Sequence, residues 1–205
     1  MLTIPRDTYL ALVRMKSSTL DQRVRVGEIA WAFGVTERPT YGEYFHLDAV
    51  ATILSSMLSC LCALTLKQTA NELRKHWDGW LELVTKVERW QEKYPGTGDP
   101  MWCIAIAHLP LKLGQSESER SHRILLGKAH EIIEEVGATA DSCNFVSIAR
   151  VLSALKANAK NAGIKLPARL TIAKGEAGFD EWRTEIREYQ RRAGMRIAKP
   201  RPVTA

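Results

Sequence analysis

AVATILSSMLSCLCALTL, from Ala49 to Leu66, is an 18-residue run without a charged side chain, and its reading decides the fold. Its length reaches the lower limit for a membrane-spanning helix, roughly 17 to 25 residues. Within it Thr52, Ser55, Ser56, Ser59 and Ala63 recur at helical spacing and form a small, partly polar stripe opposite Ile53, Leu54, Met57, Leu58, Leu61 and Leu64. Such a stripe lets a second helix approach closely, in water or in lipid. The bases on either side, Arg38 before and Lys67, Arg74 and Lys75 after, give no positive-inside asymmetry. The run is read as a buried central helix, with a membrane span as the alternative that the pattern alone does not decide.

Helical signals extend outward from it in both directions. Pro5 suits the first turn of a helix to about Lys16. Thr19 and Gln22 have the spacing of a capping box for a second helix stopping at Gly34. Residues 37–43, with Pro39 and Gly42, read as a loop. On the other side Thr65 and Gln68 form a capping box for a helix running to about Tyr94, in which Trp77, Trp80, Val84 and Val87 make a core stripe adjoined by Leu73, Leu81 and Trp90. A platform for stacking a ligand is the functional alternative for those tryptophans.

Beyond the Pro95–Gly98 interruption, Asp99 and Pro100 predict a helix toward Gly114, Ser116 and Glu119 predict one ending at Gly137, and Asp141 or Ser142 starts one to about Asn161. Residues 164–178 read as a linker or strap, and a last helix runs from Phe179 to Ala193 with Trp182, Ile186 and Tyr189 on its docking face. No alternation of apolar and polar residues marks a sheet, and no repeat of fixed period occurs. The expected fold is all-α: a compact bundle of six to eight helices with a core domain over 1–163, the strap over 164–178, and a basic C-terminal helix and tail over 179–205.

The 205 residues carry 29 basic and 23 acidic side chains, a net charge of +6. From Arg183 to Arg201 seven bases (Arg183, Arg187, Arg191, Arg192, Arg196, Lys199, Arg201) stand against two acids, so this segment holds five of the six net charges. Arg183, Arg187 and Arg191 lie four residues apart, a ladder of like charges that disfavours a helix by about 0.2 to 0.5 kcal/mol per pair. Phosphates along the ladder would relieve that repulsion and release counterions. The seven bases are thus the candidate phosphate contacts. A solvated amphipathic helix whose arginine stems cover apolar surface is the bland alternative.

The segment VGEIAWAFGVTERPTYGEY, with Ala30 four residues before Gly34, resembles the opening helix-turn-helix of MerR-type regulators. The resemblance covers about twenty residues. It implies a recognition element near Thr36 and Arg38 that reads DNA, although Pro39 and Gly42 would interrupt a helix beginning there.

Other chemistries leave less trace. Cys60, Cys62, Cys103 and Cys143 sit in apolar runs without a CxxC, so they read as small core residues and not as a zinc or redox site. Two Glu-x-x-His pairs, Glu43/His46 and Glu119/His122, have the spacing of a di-metal helical enzyme, but companion carboxylates are not evident. There is no nucleophile elbow and no phosphate-binding glycine loop. The first residues, MLTIPRDTYL, lack the pattern of a secretory signal, which points to a reducing, cytoplasmic setting.

The expectation is a non-enzymatic nucleic-acid-associated or regulatory protein without a cofactor, DNA ahead of RNA as its partner. The alternative is a helical interaction module, an adaptor or inhibitor, docking on an acidic protein surface.

Overall fold

In the computed structural model, residues 3–36, 43–62, 64–96, 101–116 and 120–193 are described. The chain is mixed α/β, which corrects the all-α expectation. Two antiparallel sheets accompany eight α-helices among the described residues. The first sheet pairs β1 (Thr3–Ile4) with β2 (Tyr44–Phe45); the second has three strands in the order β4-β3-β5, formed by β3 (Trp102–His108), β4 (His122–Lys128) and β5 (Ser142–Ser147). The helices are α1 (Arg6–Val13), α2 (Ser17–Val26), α3 (His46–Cys62), α4 (Leu66–Lys75), α5 (Trp77–Lys93), α6 (Ala129–Val136), α7 (Ile148–Asn161) and α8 (Phe179–Arg192).

The three-stranded sheet occupies the stretch where a helix was expected after Asp99 and the first parts of those expected after Ser116 and Asp141, whose later parts are helical as α6, which stops at Gly137, and α7, which runs to Asn161. Its central strand is buried on both faces, so polar residues do not alternate with apolar ones along it. Large and small side chains alternate instead. Ile104 and Ile106 point into the main core with Val146 of β5, while Cys103, Ala105 and Ala107 face a smaller core with Leu125, Ile132 and Val136. The small residues make room for α6, which lies on that face. The register is continuous, Ile104 pairing with Leu126 on one side and Val146 on the other. Across the opposite face α5 comes close at Gly79, where an added Cβ would lie 3.1 Å from Leu126 Cδ1.

The uncharged run forms α3, buried along most of its length. Its small polar stripe does receive neighbours closely. Thr52 bonds Tyr9 Oη at 2.8 Å, and Ser55 bonds Thr69 of α4 at 2.8 Å. Thr65 and Gln68 build the predicted capping box: the Gln68 N–H donates to Thr65 Oγ1 and the Thr65 N–H to Gln68 Oε1. The helix it opens ends at Lys75, and α5 starts afresh at Trp77. Among the described residues no helix is long and apolar enough to cross a membrane.

The helix expected to reach Gly34 stops at Val26, with Gly27 as its left-handed cap. Residues 28–31 are not helical, and Ala32–Gly34 is a 3₁₀ turn. The first helix of a helix-turn-helix is therefore missing at Ala30, which corrects that reading of the segment. The cause lies in tertiary packing, because every residue from Ile29 to Val35 is buried. The buried Asp48 carboxylate accepts the N–H groups of Ala32 and Phe45, both at 2.9 Å, and fastens the turn to α3.

Candidate nucleic-acid interface

The helix α8 begins after Gly178 with Asp180 and Glu181 in its first turn and ends on Arg191 and Arg192, charges that suit its dipole at both ends. Trp182, Ile186, Tyr189 and Gln190 are buried and fix its orientation. Tyr189 meets Phe45 edge-on at 5.0 Å, and Gln190 Nε2 donates to the Phe33 carbonyl at 2.7 Å. At 100° per residue the other side chains fall on two flanks. One carries Arg183, Arg187 and Arg191 with Asp180 among them; the other carries Glu181, Glu185 and Glu188 with Arg192. Charge on this helix is thus weighted by side, three bases to one acid on one flank and three acids to one base on the other.

The basic flank faces a groove of about 760 Å³ between α8 and α5. Arg183 and Arg187 line one wall, Lys86 and Arg89 of α5 the other, and Lys174 contributes from the strap between α7 and α8. Apolar groups, among them Leu81, Ile172, Phe179 and Trp182, line it as well. Arg183 is committed to the fold: its Nη1 donates to Asp78 Oδ1 at 2.8 Å, and its guanidinium lies 5.4 Å from the Trp77 ring centroid. Lys86 pairs with Glu82 at 2.8 Å. Arg187 and Lys174 have no ion pair among the described residues.

The strap is held against α5 by carboxylates. Glu88 accepts the N–H of Leu170 at 2.8 Å and the N–H and hydroxyl of Thr171 at 3.1 and 2.6 Å. Burial nonetheless raises its carboxyl above the ordinary glutamate range. Arg169 is clamped between Glu92 and Glu176, and those two carboxylates raise its already high pKa further. The Ala173 N–H and Arg169 hold Glu176 below the usual value.

Lys86 and Arg89 also border a second cavity, of about 620 Å³, farther along α5 toward the sheet. Trp90, Lys93 and Tyr94 of α5 and Trp102 at the start of β3 line it. Together the two cavities present seven bases and five acids, and four of those acids, Asp78, Glu82, Glu92 and Glu176, already have an ion pair. On the acidic flank of α8 lies a separate cavity of about 380 Å³, lined by Phe33, Phe45, His46, Trp182, Glu181 and Glu185 among others. Burial there holds the His46 imidazole below its ordinary pKa.

Of the candidate contacts, Arg187, Arg191 and Arg192 are exposed on α8 and Arg183 is half-buried. Arg196, Lys199, Arg201 and Arg38 lie outside the described residues. Thr36 is exposed just after the 3₁₀ turn and does not line the groove. Sequence reasoning missed Lys86, Arg89, Lys93 and Lys174, which neighbour the arginines only through the packing of α5 and the strap. Among the described residues no group of three His, Cys, Asp or Glu side chains is placed to hold a metal ion. Of the four cysteines, expected to be core residues, Cys62 and Cys103 are buried, Cys143 is half-buried and Cys60 is exposed. Compared with known protein families, curated proteins and solved structures, the chain matches none of them.

Proposed function

We propose that the protein binds the phosphate backbone of nucleic acid in the groove between α5 and α8, as a non-enzymatic binding or regulatory protein. The excess of bases on one flank of α8 and across the groove from it supports this reading. Three arginines share one flank with Asp180, Arg183 and Arg187 of that flank line the groove with Lys86 and Arg89 of α5, and among the described residues Arg187 and Lys174 have no ion pair. A polyanion relieves the repulsion among these bases and gains counterion release. The groove offers charges that suit phosphates, and contacts of that kind bind the backbone without reading sequence.

The test is fluorescence anisotropy of the whole chain with labelled DNA and RNA over a salt series. The expected log K falls linearly with log salt, and the Arg187→Glu/Arg191→Glu variant loses binding and keeps its fold. Unchanged binding by that variant, or no binding by the wild type at low salt, overturns the reading. The apolar lining at Leu81, Ile172 and Phe179 favours a second reading, an acidic amphipathic helix of a protein partner in the same groove. A stoichiometric, nuclease-resistant partner lost in the same double variant supports that alternative.

A further inference from the structure

We infer that the nucleic acid taken by this protein is single-stranded, its bases stacking on Trp90, Tyr94 and Trp102 while its phosphates follow the α5–α8 groove. This rests on the proposed backbone binding and specifies its substrate. The two cavities adjoin at Lys86 and Arg89, which border both. From Glu82 to Tyr94 the α5 wall extends about 18 Å at 1.5 Å per residue. Bases line its first part and aromatic rings its last.

The aromatic end is only partly accounted for by the apolar cores: Trp102 packs against the main core and borders the cavity as well. Trp80 of the same helix is completely buried, and its Nε1 donates to the Leu73 carbonyl at 3.0 Å, as a core tryptophan's should. Trp90 and Tyr94 instead belong to neither core cluster, and both line the second cavity with Trp102. Trp90 lies 4.4 Å from Tyr94, centroid to centroid, and 5.9 Å from Trp102, at tilted and edge-on angles. Tyr94 is 38% exposed, and Lys93 Nζ stands 5.2 Å from its ring centroid. Rings beside bases, open to a groove that tracks a backbone, are the elements of sequence-tolerant single-strand binding. A duplex stacks its bases on one another and has no face to offer these rings.

The experiment compares a labelled oligothymidylate, a duplex of equal length and an abasic deoxyribose-phosphate chain of equal length, each against the whole chain and against Tyr94→Ala, Trp90→Leu and Arg187→Glu/Arg191→Glu. The wild type should bind oligothymidylate most tightly, with quenching of tryptophan fluorescence. Tyr94→Ala and Trp90→Leu should each weaken that binding about 5- to 100-fold and leave the salt slope and abasic-chain binding unchanged. Circular dichroism and the melting temperature establish that each variant is folded; should Trp90→Leu fail this check, the exposed Tyr94 alone carries the test. Equal oligothymidylate affinity in Tyr94→Ala and wild type, with binding still lost in the double arginine variant, overturns the stacking inference and leaves backbone binding standing. Duplex bound as tightly as oligothymidylate overturns it too. Failure of all three probes to bind wild-type protein overturns the backbone reading itself.

Discussion

A single oxygen of Glu88, Oε2, accepts both the backbone N–H and the side-chain hydroxyl of Thr171, at 3.1 and 2.6 Å. With the Leu170 N–H on its other oxygen, this carboxylate is the chief fastener between α5 and the strap. Glu88→Ala removes three hydrogen bonds and leaves the donors of buried Thr171 and half-buried Leu170 without that acceptor. We expect a loss of about 2 kcal/mol, read from urea denaturation at constant pH. A variant as stable as the wild type would show that water replaces the carboxylate at no cost.

The same group makes stability depend on pH in a definite direction. Burial raises the Glu88 carboxyl above 4.5, against the hydrogen bonds from Thr171 and Leu170, which lower it. A carboxyl raised on folding binds more protons in the folded chain than in the unfolded one, so its contribution is complete below 4.5 and declines as pH rises through the folded value. Glu176 works oppositely. Held low by the Ala173 N–H and by Arg169, it contributes above the ordinary value and loses that contribution as pH falls through its folded value. Thermal melts from pH 3 to 8 should show Glu88→Gln flattening the decline above 4.5 and Glu176→Gln flattening the loss below it.

Gly34 adopts φ +71°, and a Cβ there would stand 2.5 Å from Trp77 Cδ1. Gly34→Ala therefore combines a disfavoured backbone with a clash against a half-buried ring. The expected cost is about 2 kcal/mol or more, seen as a lowered melting temperature. Its neighbour Gly27, also left-handed, has only the tip of Lys67 within reach at 4.0 Å, so Gly27→Ala should cost less.

Two arginines one turn apart should behave differently. Arg183 joins Asp78 and Trp77, so Arg183→Ala should lower stability by about 1 kcal/mol. Arg187→Ala touches no ion pair of the described residues and should change stability by less than about 0.5 kcal/mol. In nucleic-acid titrations the order reverses, Arg187→Ala giving the larger loss. Equal effects in both assays would contradict the division between structural and binding arginines.

Thiol reactivity should sort with environment. Cys60 is exposed, whereas Cys62 is buried and its thiol is pushed up to about 11, by burial first and by Cys143 second. At pH 8 a disulfide reagent should modify Cys60 in the folded protein and reach Cys62 only on unfolding. Modification of Cys62 at the rate of Cys60 would show that α3 opens there.

What was legible in the sequence followed local rules. Thr65 with Gln68 fixed the start of α4, the uncharged run gave α3, and Trp182, Ile186 and Tyr189 identified the docking face of α8. The sheet was hidden because Ile104 and Ile106 alternate with Cys103, Ala105 and Ala107, all apolar, so the period of two exists in size and not in polarity. At Thr19 and Gln22 a capping pattern is present, but the helix already starts at Ser17, and Gly27 ends it before Gly34. The arginine ladder could be counted along α8. Its opposite wall, and the meeting of Trp90 with Trp102, depend on β3 packing beside α5, which no spacing within one helix encodes.

The contact between Gln190 and Phe33 joins positions 157 apart, and Asn158 Nδ2 reaches the Leu12 carbonyl across 146 residues. Tyr189 closes over Phe33 and Phe45 in the same region. Contacts of such sequence separation incur their loop-closure entropy before they return any stabilisation, and they slow the final folding step. On the ribosome the early aromatic residues must therefore wait, uncovered, for the last described helix to emerge. Maturation of this region is a closing event that waits for α8, and a nascent chain stalled before α8 would present chaperones with the surface that Tyr189 later hides.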